Sequence, residues 1–222
     1  MLPMAPAPRI ASMLASATEI VFALGFGEQL VARSHECDYP EEVKKLPVVT
    51  APKFPVDGSS AEIDARVKGI LENATSVYKV DAARLDELRP DFVVTQTQCE
   101  VCAVSQRDVE DALAQMVRSK PKLVALSPNC LEDVFADIRR VATALGEPAR
   151  GDWLVGAMGA RIDIVRRLAA LESASTRAPG NAARPSIACI EWIEPLMAAG
   201  NWMPELVALA GGENLFGEAG KH

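Results

Sequence analysis

The stretch Arg9-Ile-Ala-Ser-Met-Leu-Ala15, followed by Ser16-Ala-Thr-Glu19, Ile20-Val-Phe-Ala-Leu24 and Gly25, decides the fold class. The first seven residues are a short apolar run suited to a buried strand. Ser16 and Glu19 stand at capping-box spacing, which predicts a helix start there. Gly25 supplies the left-handed residue that stops a helix. Leu30-Val-Ala-Arg-Ser34 then returns as a second strand. A strand–helix–strand unit with such short connections is the signature of a parallel sheet.

The same alternation continues along the chain. Ala83–Leu88 reads as a short helix ended by Pro90, and Asp91–Gln96 as a strand. Ser105–Arg118 carries Val109, Leu113, Met116 and Val117 on one side of a helix. Pro121–Leu126 is the next strand, and Leu131–Leu145 the next helix, closed by Gly146. Residues 9–146 are therefore expected to form one α/β lobe. A long helix is expected over Asp152–Leu171, with Trp153, Leu154, Met158 and Ile162 turned to a core. Residues 173–184 have linker composition, so 147–184 read as a linking helix plus linker.

Residues 185–222 open a second lobe. Ser186–Trp192 is its first strand, and Met203–Ala210 its first helix, begun by Pro204 and ended by Gly211-Gly212. One strand and one helix cannot bury both faces of a parallel sheet. The expectation is a second lobe that is cut short or completed by another chain.

The 222 residues carry 23 Lys and Arg against 30 Asp and Glu, for a net charge of −7. That balance, without a basic cluster, argues against nucleic acid as a partner. No apolar run reaches the ~20 residues of a membrane-spanning helix. Residues 1–9, Met-Leu-Pro-Met-Ala-Pro-Ala-Pro-Arg, lack a basic leader and do not read as a signal peptide, so a cytoplasmic location is one expectation. Five cysteines, Cys37, Cys99, Cys102, Cys130 and Cys189, are too few and too scattered for a disulfide scaffold.

Ligands of open α/β sheets bind in the loops after the strands. Those loops hold His35-Glu-Cys-Asp-Tyr-Pro40, Thr97-Gln-Cys-Glu-Val-Cys102, Glu191-Trp-Ile-Glu-Pro195 and Asn201-Trp202. Three chemistries fit them. His35, Cys37, Cys99 and Cys102 have the donor types of a zinc site in a metal-binding or metal-sensing protein. Cys99 and Cys102 have redox-pair spacing, although Glu100 between them works against a thiolate. Alternatively, Tyr39, Trp192 and Trp202 wall a bulky ligand that is held non-covalently and oriented by His35, Glu36, Gln98 and Glu191. Cys130, Cys189 and Trp153 read as core residues, and Glu132, Asp133, Asp137, Arg139 and Arg140 as a solvated helix face. No Ser-His-Asp arrangement, Walker loop or G-x-G-x-x-G occurs, so an enzyme is not expected.

Ser16-Ala-Thr-Glu-Ile20, the His35–Pro40 loop, Leu85-x-x-Leu-Arg-Pro-Asp91-Phe-Val-Val94 and Gly211-Gly-Glu-Asn-Leu-Phe216 together resemble the periplasmic substrate-binding proteins of cobalamin and iron-siderophore ABC importers. Cys99–Ser105 and Glu191-Trp192 resemble the cobalamin-binding subgroup. The resemblance implies two Rossmann-like lobes joined by one long rigid helix, the helical-backbone form of periplasmic binding protein. It further implies a periplasmic location, no catalysis and no required cofactor. The ligand would be a corrinoid held in the cleft between lobes, and the partner an ABC permease in the inner membrane. His35, Glu36, Tyr39, Trp192 and Trp202 would contact the corrin, with His35 or a cysteine a candidate for its cobalt.

Overall fold

The computed structural model describes residues 6–72, 77–97, 106–176 and 184–221, with the side chains of 173–176 excepted. Along the chain, β1 (Ile10–Ser12) leads into α1 (Ala15–Ala23) and β2 (Leu30–Arg33). Then come β3 (Thr50–Pro52), α2 (Ser60–Leu71), β4 (Tyr78–Val80) and α3 (Ala82–Leu88). The first part closes with β5 (Phe92–Gln96), α4 (Gln106–Gln115), β6 (Lys122–Leu126) and α5 (Leu131–Ala144). β1, β2, β5 and β6 form a parallel sheet in the order β2-β1-β5-β6. Neighbours β3 and β4 make a separate antiparallel pair.

Both faces of the parallel sheet are covered, which explains why its strands read as continuous apolar runs. Because side chains alternate across a strand, Ile10 and Val94 enter a core with Val21 of α1 and Ile138 and Val141 of α5. Ala11 and Val93 face the other way, onto Leu85 of α3, Val109 of α4 and Val49 and Val77 beside β3 and β4.

Two local expectations change. Helix α1 begins one residue before Ser16, with Leu14 as its cap and no side-chain capping bond. The hydroxyl that matters is Thr18, whose buried side chain turns into the interior instead. Gly25 does stop the helix, at φ +81°. Asp137 is 2% exposed rather than part of a solvated face. It accepts the Ser127 N–H at 3.0 Å and pairs with Arg140.

The long helix α6 (Pro148–Thr176) starts earlier and ends later than its apolar spacing indicates. It lies against α5 at Gly151, where a Cβ would stand 2.8 Å from Cβ of Ala142. Arg139 and Asp152 pair across the two helices at 3.0 Å. Trp153 does not enter the core; it is 71% exposed, because α6 turns Leu154 and Val155 to α5 and the sheet. Cys130 and Cys189 are half-buried.

Beyond α6 the expected single strand over 186–192 is two strands. β7 (Ser186–Ile187) and β8 (Ile190–Trp192) are followed by β9 (Met197–Ala198), α7 (Met203–Leu209) and β10 (Glu213–Asn214). β7 pairs in parallel with β10, whereas β8 pairs antiparallel with β9. Each chooses a different partner, so the segment breaks at Ala188-Cys189. Helix α7 is tied back to the first part by Glu205, whose carboxylate accepts the Leu131 N–H at 2.8 Å. That satisfies a free donor at the start of α5, where the helix dipole favours an anion.

Candidate functional site

The loop after β2 is assembled around small buried hydroxyls. At the end of β1, Ser12 Oγ accepts from Thr18 of α1 at 2.8 Å. Thr18 Oγ1 also lies 3.0 Å from Cys37 Sγ, so α1 holds the loop from beneath. Cys37 is 1% exposed, and burial pushes its thiol pKa up despite the Thr18 hydrogen bond. Arg33 binds the loop from its other end, with Nη1 donating to the carbonyls of Ser34 and Cys37, each at 3.0 Å.

The antiparallel pair β3–β4 then brings in residues far along the chain. Thr50 opens β3, and its Oγ1 lies 2.7 Å from His35 Nδ1 and 3.0 Å from Ser34 Oγ. The His35 N–H donates to the same oxygen at 3.0 Å. Tyr78 lies opposite Pro52 in the register. Its ring stands 5.3 Å from that of His35, tilted by 48°. Its hydroxyl donates to Glu36 Oε1 at 3.2 Å. His35, Glu36, Thr50, Ser34 and Tyr78 are thus one polar cluster beside the C-terminal ends of β1 and β2. Ser34, Thr50 and Tyr78 carry no motif in the sequence; the bridge between Arg33 and Val48 sets Thr50 beside the loop, and the β3–β4 pairing adds Tyr78.

The electrostatics follow from crowding. Desolvation first, and Arg33 second, hold the His35 pKa below its ordinary value, so the ring is neutral at pH 7. Glu36 is exposed as a residue, yet atoms crowding its carboxyl push the pKa up, with the Tyr78 hydrogen bond acting the other way. Tyr78 is raised well above the ordinary phenol by burial and by the Glu36 charge, and remains a donor at any working pH. The His35 shift has a sign that can be checked. The unfolded chain protonates His35 first, so its contribution to stability is complete above pH 6.5 and is lost as pH falls through the lowered folded value. We expect the denaturant midpoint to drop between pH 7 and pH 5.5, and His35→Asn to flatten that drop. Equal slopes for the two proteins would count against the burial of this ring.

The remaining candidates sit elsewhere. Tyr39 is 66% exposed at the outer side of the same loop. Glu191 is exposed on β8, and the half-buried Trp192 donates its Nε1–H to the Glu194 carbonyl at 2.9 Å, bracing its own turn. Trp202 caps α7 and lines an apolar hollow of about 480 Å³ with Leu131, Val134, Met158, Ile162 and Leu206. No hydrogen bond, ion pair or ring contact among the described residues joins His35, Glu36 or Tyr39 to Glu191, Trp192 or Trp202. Gln98, Cys99 and Cys102 lie outside the described residues. Among the described residues no three His, Cys, Asp or Glu side chains gather as a metal site. Cys37 spends its sulfur on the Thr18 contact beneath the loop.

A neutral imidazole, a carboxylate, a phenol donor and an exposed aromatic ring at strand ends can orient a large polar ligand.

A family model described as periplasmic binding protein matches residues 10–222. The vitamin B12-binding protein of Pectobacterium atrosepticum is 24% identical over 214 residues, 95% of this chain and 63% of that protein. The periplasmic heme-binding protein RhuT of Roseiflexus sp. RS-1 superposes with a TM-score of 0.60 at 27% identity, covering 94% of this chain and 65% of that one. The periplasmic vitamin B12 binding protein BtuF of Vibrio cholerae gives 0.61 at 20% identity, covering 96% and 67%. The chain thus spans about two-thirds of the length of these relatives. With a four-stranded parallel sheet, the long helix α6 and a family match over nearly every residue, this chain belongs to the periplasmic binding protein family.

Proposed function

We propose that this chain is a solute-binding component of an ABC importer, that it works in the periplasm and delivers its ligand to a permease of the inner membrane, and that the ligand is a corrinoid. In this reading residues 9–146 are the first lobe, 147–184 the joining segment and 185–222 the part of the second lobe that the chain carries. His35, Glu36 and Tyr39 face the ligand from the first lobe, and Gln98, which follows β5 in the sequence, is assigned to the same ligand. Glu191, Trp192 and Trp202 approach from the second.

The observation that carries the reading is the polar cluster at the end of β2. Its His35, Glu36 and Tyr78 bring an imidazole, a carboxylate and a phenol hydroxyl together, groups that can orient a large polar ligand, and exposed Tyr39 offers an aromatic face. The names of the relatives support the same ligand class: one is a vitamin B12-binding protein and another binds heme. Heme is the second reading, favoured by the 27% identity to that heme-binding protein.

Titration calorimetry with cyanocobalamin, and with hemin in parallel, tests the assignment. We expect cyanocobalamin to bind, and His35→Ala to weaken it by about tenfold through loss of one oriented polar contact. Heat from hemin alone would replace the corrinoid by a porphyrin. Heat from neither would overturn the function.

A further inference from the structure

We propose that Glu205 is a positioning residue: its bond to the start of α5 sets how α7 sits on the first part and, through α7, where Glu191 and Trp192 stand against a ligand. The proposal rests on the ligand reading above and adds to it the contact that fixes one half of the site relative to the other.

The start of α5 leaves one donor over. Asp133 turns back on the loop before the helix, and its Oδ2 accepts the N–H groups of Asn129 and Cys130 at 2.9 and 3.1 Å. Leu131 opens the helix, where an N–H has no carbonyl one turn back to reach. Glu205 supplies the acceptor from 74 residues away, with Oε2 receiving the Leu131 N–H at 2.8 Å. The donor is a backbone amide and the acceptor a carboxylate, so the bond runs one way. It also sets a negative charge at the positive end of a 14-residue helix. Arg166, which borders the same hollow as Glu205, is engaged with Asp163 at 3.2 Å.

The other contacts of α7 carry little direction. Leu206 faces Val134 of α5 and Val165 of α6 across the apolar hollow of about 480 Å³. A second hollow of about 650 Å³ lies among Phe135, Gly159 and Ala208. Leu131, Ile162 and Leu209 border both, so α7 rests along a ridge flanked by open space. Apolar burial is non-directional, and beside unfilled space it does not select one angle. A charge-assisted hydrogen bond does. At the far end of α7, Gly211 lies against α6, where a Cβ would stand 3.0 Å from Cβ of Ala169. The helix is thus pivoted at Gly211 and pinned at Glu205.

The ligand groups of the second part follow the pinned end. Trp202 caps α7, and β9 ends just before it at Ala198. The Ala199 N–H donates to the Cys189 carbonyl at 2.8 Å, which holds the β8–β9 pair, and Trp192 with it, to the entry of α7.

Amide exchange on the ¹⁵N-labelled full chain reads the pin directly. Glu205→Ala is expected to speed exchange of the Leu131 amide and of α7 about tenfold, with β1 and β5 at parent rates. Glu205→Gln, which keeps an acceptor and loses the charge, is expected to fall between. A Leu131 rate unchanged by Glu205→Ala overturns the proposal.

Binding separates positioning from support of the fold. The probe is cyanocobalamin, or hemin if hemin alone gives heat with the parent. Glu205→Ala is expected to weaken the probe about tenfold by calorimetry, and saturating probe to slow Leu131 exchange in the parent by the same factor, because coupling is reciprocal. Unchanged affinity in Glu205→Ala, or weakened binding without protection of Leu131 by the probe, overturns the positioning role and leaves the ligand reading standing. Heat from neither probe with the parent chain overturns both.

Discussion

Asp137→Ala is expected to destabilise the folded chain by about 3 kcal/mol, a loss of more than a hundredfold in the folding equilibrium. The carboxylate is 2% exposed, on the face of α5 that meets the sheet. One oxygen receives the Ser127 N–H just past β6, and the other the Arg140 guanidinium one turn along the helix. Removing it leaves the Ser127 N–H without its acceptor and the Arg140 guanidinium with only the Ala125 carbonyl at 3.4 Å, as well as a small void. Asp137→Asn keeps an acceptor for Ser127 and loses the charge, so its cost is expected to be about half as large. Urea unfolding monitored by circular dichroism reads both differences. An Asp137→Ala protein within 0.5 kcal/mol of the parent, on the scale of ordinary surface changes, would refute the account.

That residue also marks where sequence reasoning stops. The helical spacing of Leu131, Val134, Ile138 and Val141 located α5 within a residue, because burial of one stripe dictates the spacing. The same spacing could not show that one acid inside a run of charges points inward. Its partner is a loop N–H at the end of a strand, and that meeting exists only after the sheet forms. The four parallel strands were legible because both faces are buried. β3 and β4 were not, since Thr50-Ala-Pro52 and Tyr78-Lys-Val80 are short and sit in no continuous apolar run. Helix α2 was not expected either, and the structure shows it started by a capping box in which Ser59 and Glu62 bond reciprocally at 3.4 and 2.7 Å. The break between β7 and β8 depends on which distant strand each one finds, information that local composition lacks.

The site divides along the same line. His35 and Glu36 were legible because ligand groups of parallel sheets gather at strand ends. Tyr78 was not, lying 42 residues away from Glu36 on a strand too short to read. Ser12, Ser34 and Thr50 are common residues whose roles come from geometry alone. Thr18 lies inside the Ser16–Glu19 stretch that was expected to start a helix, and it braces the loop after β2.

Thr18 therefore controls the second large effect, the protection of Cys37. Alkylation needs a thiolate that the reagent can reach, and burial opposes both by raising the thiol pKa and closing the path. In the native chain at pH 8, Cys37 is expected to react at least about a hundredfold more slowly than half-buried Cys130 and Cys189, because reaction must wait for the 34–40 loop to open. Thr18→Val keeps the shape but removes the hydroxyl that bonds Ser12 and lies against Cys37. Loss of about 1.4 kcal/mol from the closed loop predicts a rise of about tenfold in labelling of Cys37, with Cys130 and Cys189 unchanged. Iodoacetamide pulses followed by peptide mass mapping give each rate separately. Cys37 labelling as fast as Cys189 in the parent protein would mean that the loop is not held from beneath, and the His35 cluster built on it would lose its support.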